Sequence, residues 1–168
     1  SRGYDLILVA RSEDKLNQLA VKVGGQFGVN CTVIVADLSE PNAAQNLFQS
    51  IEAKGLDVDF LINNAGLLHN GFFTELNLAE QERMIVVNIL ALTALTHLYA
   101  NNMASKGGGH ILNVASLAGW MAIPNQNVYA ATKAYVLAFT QALSNEMVAA
   151  ESGVKVTALC PGYTATKM

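Results

Sequence analysis

The chain has 168 residues, 52% of them apolar and 14% charged, with a formal net charge of −3 at pH 7. That length suits one domain, and the apolar share suits a core in which parallel strands are buried on both faces. The charge excludes the basic footprint of a nucleic-acid binder, and Cys31, Cys160, His69, His97 and His110 have neither C-x-x-C nor metal-ligand spacing. Residues 4–10 (Tyr-Asp-Leu-Ile-Leu-Val-Ala) are a short apolar run, expected as a buried parallel strand. Ser12 is placed to cap the helix that follows. Residues 13–23 have helical periodicity, with Leu16, Leu19, Ala20 and Val23 on one face, and Gly24-Gly25 is expected to end that helix. A strand over 32–36 leads into Asp37-Leu38. A helix over 41–53 follows, with Pro41 in its first turn. Residues 58–62 read as a strand, 78–102 as a long helix, 111–115 as a strand behind the turn Gly107-Gly108-Gly109, 125–150 as a second long helix, and 155–160 as the last strand. Strands alternate with helices throughout, which predicts a doubly wound parallel α/β sheet in a single domain.

One stretch has the length and composition of a membrane span: residues 84–105 carry no formal charge. Asn88, Thr93, Thr96, His97, Asn101 and Asn102 interrupt it, so it reads as a buried core helix with no membrane span. The two cysteines read as small buried apolar side chains, which suits a reducing, cytoplasmic setting.

Chemistry concentrates in the run Tyr129-Ala130-Ala131-Thr132-Lys133. Positions i and i+4 share a helix face, so a phenol and an ammonium stand together there. An ammonium favours phenolate and lowers a tyrosine pKa from its usual ~10. Such a tyrosine can exchange a proton with a carbonyl or alcohol oxygen. Ser116, at the end of the strand His110-Ile-Leu-Asn-Val-Ala-Ser116, is able to donate a hydrogen bond to that same oxygen. Asn88 is a lone amide within Ile85-Val86-Val87-Asn88-Ile89-Leu90 and needs hydrogen-bond partners wherever it is buried.

These residues, with Asn63-Asn64-Ala65-Gly66 after one strand and Pro161-Gly162 after another, resemble the short-chain dehydrogenase/reductase family in its compact single-domain form. The Ala10-Arg11 pair at the end of a strand is similar to the broad-specificity branch. The resemblance implies a Rossmann-like fold and a catalytic tetrad of Asn88, Ser116, Tyr129 and Lys133. It implies that Asn88 opens a helix kink, and that Lys133 also binds the nicotinamide ribose. It further implies cofactor contacts from Asp37 and Leu38 at the adenine, from Asn64, Ala65 and Gly66 along the adenosine side, and from Pro161, Gly162 and Thr166 beside the carboxamide. An enzyme of this kind that uses NAD carries an acidic residue on the ribose 2′-hydroxyl. Here Arg11 stands in that region and its planar fork suits a 2′-phosphate, so NADP is expected over NAD.

The expected activity is hydride transfer between NADP(H) and a small-molecule carbonyl or alcohol. Leu117, Trp120, Met121, Ile123 and Tyr163 give the surroundings an apolar cast; an unsaturated or acyl-carrier substrate stays open. The rival reading is a non-catalytic nucleotide-binding or interaction protein on the same fold. The glycine-rich turn that opens such folds is not found before the first strand, and the chain stops where a substrate loop is expected. A piece of a longer enzyme, truncated at both ends, is therefore expected, with a fragment inert by itself as one of the open readings. Leu92, Leu95 and Leu98 on one long helix and Val136, Phe139 and Leu143 on the other predict a homodimer or homotetramer paired through those helices.

Overall fold

The computed structural model describes residues 3–162. They form two compact units, one ending at Ala43 and one starting at Ala44. In the first, β1 (Leu6–Ala10) and β2 (Cys31–Val35) pair in parallel, Leu6 opposite Cys31 and Ala10 opposite Val35. Parallel neighbours need a crossover connection, and α1 (Glu13–Phe27) supplies it. The helix does not end at Gly24-Gly25. It runs through both and stops at Gly28, whose left-handed φ of 64° lets its N–H reach the Gly24 carbonyl at 2.8 Å. Interior glycine costs about 1 kcal/mol relative to alanine, whereas a left-handed residue past the last turn satisfies orphan carbonyls, so the third glycine sets the boundary. Ser12 has the extended backbone of an N-cap, but its side chain makes no cap hydrogen bond. Glu13 and Asp14 complement the helix dipole there.

The second unit begins within α2 (Ala43–Glu52). Its sheet has the order β3 (Phe60–Asn63), β4 (Gly109–Val114), β5 (Val154–Leu159), all parallel. The register runs from Phe60 opposite His110 to Asn63 opposite Asn113, and from Gly109 opposite Val154 to Val114 opposite Leu159. The crossover from β3 to β4 is one helical run in three pieces: α3 (Leu78–Ile85), a π turn (Val86–Ala91) and α4 (Leu92–Ser105). The run is long and apolar enough to cross a membrane, yet half of its most apolar window is buried within the fold, as suits a core helix. From β4 the chain passes through a single 3-10 turn (Leu117–Trp120) into α5 (Asn127–Ala149) and then β5. This is the α/β architecture expected from the alternating pattern.

The core of this unit gathers Leu92, Ala115, Val136 and Leu137, with Phe139, Ala158 and Cys160 packed against them. Each large apolar side chain so buried contributes about 1.5–3 kcal/mol. Leu95 is buried too, so Leu92, Leu95 and Val136 are covered by their own chain and are not a free face. The exposed large apolar residues on these helices are Leu78, Ile85, Leu90, Tyr135 and Val148. On α4, Tyr99 meets Phe48 of α2 edge-on with ring centroids 5.0 Å apart.

A polar chain crosses the same core. Asn63 Nδ2 donates to Asn113 Oδ1 at 2.9 Å and to Thr96 Oγ1 at 3.0 Å, and Asn113 Nδ2 donates to Thr140 Oγ1 at 3.0 Å. Asn63, Thr96, Asn113 and Thr140 are all buried. The chain ties β3, β4, α4 and α5 together, because an orphaned buried partner costs about 1–3 kcal/mol. At the other end of the sheet, Gly108 has φ 134°, and a Cβ there would stand 2.5 Å from the Gly153 carbonyl oxygen. Only glycine lets the two turns preceding β4 and β5 approach so closely.

Candidate active site

Tyr129 lies in the first turn of α5 and Lys133 one turn later. Lys133 Nζ stands 5.8 Å from the centroid of the Tyr129 ring. Its side chain runs into the protein, only 5% exposed, and Nζ donates to the Val114 carbonyl at 2.7 Å. Burial pushes the lysine down from 10.5 to about 8, the Cys160 sulfur opposing slightly, because an ammonium loses hydration it recovers only in part. Val114 ends β4, two residues before Ser116, so this bond moors α5 to the strand that presents the serine. Ser116 is extended, and its Oγ accepts from Ala118 N at 3.1 Å. Its own proton has no acceptor among the described residues, so Ser116 keeps a donor to offer.

Asn88 sits in the π turn and is 1% exposed. Its Oδ1 accepts from Leu67 N at 2.8 Å. Its Nδ2 donates to Leu67 O at 3.0 Å and to Thr132 Oγ1 at 3.0 Å. Thr132 Oγ1 in turn donates to the Tyr129 carbonyl at 2.7 Å. Asn88 thereby clamps the loop after β3. That loop passes close: a Cβ on Gly66 would lie 3.5 Å from Asn88 Oδ1 and 3.6 Å from Lys133 Nζ. Asn64 and Ala65, just before, are exposed. The exits of β4 and β5 adjoin as well. Leu117 N donates to Pro161 O at 3.1 Å, and a Cβ on Gly162 would meet Leu117 Cδ1 at 3.5 Å. The structure thus brings Gly66, Asn88, Tyr129 and Lys133 together, and Pro161-Gly162 to the residue after Ser116. Thr166 and Tyr163 lie outside the described residues.

In the first unit, Arg11 follows β1 and Asp37 follows β2. Arg11 Nη1 and Asp37 Oδ2 are 3.9 Å apart, the arginine side chain 55% exposed, a spacing that contributes little to stability in water. Asp37 Oδ1 accepts from Ser39 N at 2.9 Å and from Ser39 Oγ at 2.6 Å. Leu38 is half-buried between them.

Sequence reasoning missed two residues and misplaced an apolar set. Gly119 packs backbone to backbone on α5: a Cβ there would lie 2.7 Å from Lys133 O and 2.8 Å from Lys133 C. Its only signal was a small residue three positions after Ser116. Thr132 was hidden between the two residues that drew attention. Trp120, Met121, Ile123 and Pro124 line a cavity of about 580 Å³ with Ala130, Ala131 and Ala134. That cavity is apolar, as expected, but it lies along a different flank of α5, and Ser116, Tyr129 and Lys133 do not line it.

A family model described as short chain dehydrogenase matches residues 1–168. The chain is 34% identical over 173 residues to a very-long-chain 3-oxoacyl-CoA reductase from Anas platyrhynchos, a match spanning 99% of this chain and 54% of that protein. It is 34% identical over 164 residues to a 7beta-hydroxysteroid dehydrogenase from Collinsella aerofaciens, spanning 98% of this chain and 61% of that one. Among solved structures, a short-chain dehydrogenase from Sphingobium yanoikuyae in complex with NADPH superposes with a TM-score of 0.91 at 34% identity, covering 99% of this chain and 64% of its own. The chain therefore spans little more than half the length of the curated relatives it matches.

Proposed function

The chain belongs to the short-chain dehydrogenase family, and from that premise we propose that the protein carrying it moves a hydride between NADP(H) and a carbonyl or alcohol carbon. One observation carries the reading: a buried lysine, Nζ 5.8 Å from the Tyr129 ring, is moored to Val114 beside Ser116. In reduction Tyr129 gives its hydroxyl proton to the substrate oxygen, and in oxidation it takes that proton back. Ser116 donates a hydrogen bond to the same oxygen and orients it. Asn88 holds the loop after β3 against α5.

The residues fit a nicotinamide nucleotide. An ammonium has three donors, and Lys133 uses one on Val114, which leaves two for ribose hydroxyls. Gly66 brings its backbone close to Lys133 Nζ, a Cβ there standing 3.6 Å away. Asn64, Ala65, Pro161 and Gly162 are assigned to the cofactor with it, as are Asp37 and Leu38 in the first unit. When bound, the nicotinamide supplies or accepts the hydride. Arg11 favours NADP, because its exposed guanidinium pairs with Asp37 only at 3.9 Å and keeps donors for a 2′-phosphate.

The substrate class is a hydrophobic ketone or alcohol. The exposed Leu117 next to Ser116 supports this, and two relatives are named for 3-oxoacyl-CoA and hydroxysteroid substrates. The half-buried free thiols Cys31 and Cys160 suit a reducing cytoplasm. The exposed Leu90 and Tyr135 favour a homo-oligomer through the long helices, which light scattering at micromolar concentration would contradict by finding a monomer.

The test is Tyr129→Phe in the protein carrying this chain, assayed with saturating NADPH and a panel of hydrophobic ketones. Turnover should fall by at least about 100-fold while NADPH still binds. Turnover like the wild type would sink the proposal.

A further inference from the structure

We propose that Thr132 is a positioning residue for the acid–base pair, acting through its hydroxyl; this rests on the role given to Tyr129 above. The need for such a residue lies in how α5 begins. Tyr129 is in its first turn, and Gln126 at the N-cap makes no side-chain cap hydrogen bond. In that turn Asn127 Oδ1 accepts from Val128 N at 2.7 Å; end turns are nevertheless where helices fray, and here that turn holds the residue that must meet the substrate oxygen.

The hydroxyl of Thr132 answers this need. The orientation of Asn88 is set by Leu67, whose N–H faces Oδ1 at 2.8 Å and whose carbonyl faces Nδ2 at 3.0 Å. The second N–H of that Nδ2 points at Thr132 Oγ1, 3.0 Å away. Thr132 must therefore accept from Asn88, and its own proton goes to the Tyr129 carbonyl at 2.7 Å. Each donor in the chain from the Asn88 amide to the Tyr129 carbonyl has one direction open to it. Thr132 is 1% exposed, so water cannot stand in for either partner. The backbone of Tyr129 is thereby fastened to the π turn and to the loop that passes Lys133. Geometry at the reacting atoms is sensitive to such fastening: a 1 Å misplacement can lower a rate by ~100-fold.

Thr132→Val keeps the shape of the side chain and removes the hydroxyl. Rates are measured in the protein carrying this chain, with NADPH and a hydrophobic ketone, and divided by the concentration of folded protein counted by NADPH fluorescence titration. We expect kcat to fall about tenfold with KM for NADPH and ketone within about twofold, a split that a merely structural role would not produce. Thr132→Ser, which restores the hydroxyl without the methyl, should return kcat to within about twofold of the wild type. A wild-type kcat in Thr132→Val overturns the proposal, and so does a Thr132→Ser that is as slow as Thr132→Val, since packing of the methyl would then account for the loss. If Thr132→Val does not fold, Thr132→Ala is read in the same way. If neither hydroxyl-free variant folds, the hydroxyl is structural and the proposal falls. Tyr129→Phe runs alongside: full turnover there refutes the oxidoreductase reading itself, whereas a dead Tyr129→Phe with an unimpaired Thr132→Val refutes only the positioning role.

Discussion

Gly119→Ala adds one methyl group at the seam between the 3-10 turn and α5. That methyl would stand 2.7 Å from Lys133 O, 2.8 Å from Lys133 C and 3.1 Å from Ala134 N. All three atoms are main chain in the interior of a helix, so no side chain can rotate aside. The turn must retreat instead, and overpacking of this kind costs about 1–3 kcal/mol. The substitution also restricts the unfolded chain, which offsets roughly 0.4–1 kcal/mol, leaving a net loss of about 1–2 kcal/mol. The retreat carries Ser116 away from Lys133, so kcat should fall about tenfold as well. The assay is urea denaturation, with the midpoint lowered at unchanged m-value, beside steady-state reduction of a ketone. Gly66→Ala is the control, because its methyl meets Asn88 Oδ1 and Lys133 Nζ at ordinary contact distances of 3.5 and 3.6 Å and should leave the midpoint nearly unchanged. If Gly119→Ala shows the wild-type midpoint and kcat, the backbone seam does not constrain the site and the reasoning is wrong.

Lys133→Met should flatten a pH dependence of stability. Below pH about 8 the lysine is protonated in both folded and unfolded chains; between about 8 and 10.5 only the unfolded chain keeps the proton, so the wild type gains stability as pH rises through that window. The gain is on the order of 3 kcal/mol, and urea midpoints at pH 7 and pH 10 that rise equally in both proteins would contradict it. Arg11→Asp should move the kcat/KM ratio from NADPH towards NADH, since a carboxylate accepts from ribose hydroxyls and repels a 2′-phosphate; a wild type that already prefers NADH would refute the role given to Arg11.

The five described strands are legible in the sequence to within two residues at each end, because a parallel strand writes itself as a short apolar run such as Ile111-Leu112; burial on both faces is not what the structure shows, since Val35, Phe60, Ile62 and Leu159 are exposed. Gly24-Gly25 misled for a physical reason. Interior glycine is a modest local cost, and the boundary belonged to Gly28, where the left-handed turn closes. The apolar count on the long helices also misled: Leu92 and Val136 share one buried cluster within the chain, which periodicity alone cannot distinguish from a surface awaiting a second subunit. Tyr129 and Lys133 were readable because their pairing is local, one helical turn apart. The mooring of Lys133 to Val114, the chain from Asn63 to Thr140 and the seam at Gly119 join residues distant in sequence. No local pattern encodes them.

The π turn at Val86–Ala91 sets a rule for insertions and deletions. A π turn holds one residue more than the α-helical turn it replaces, and each residue of an α-helix advances the azimuth by about 100°. Deleting one residue there would convert the run Leu78–Ser105 into one continuous α-helix whose halves keep their relative phase, whereas straightening the turn with no deletion, or deleting a residue elsewhere in the run with the turn retained, would rotate the halves against each other by about that angle. In the latter cases, with α4 held in place by Tyr99 and Met103, the buried Met84 and Gln81 would swing out of phase. Asn88 would lose its aim at Leu67. The wide turn therefore absorbs one extra residue without turning either half off the core, and a one-residue gap placed here when relatives are aligned marks loss of the turn that aims Asn88 rather than a neutral difference in length.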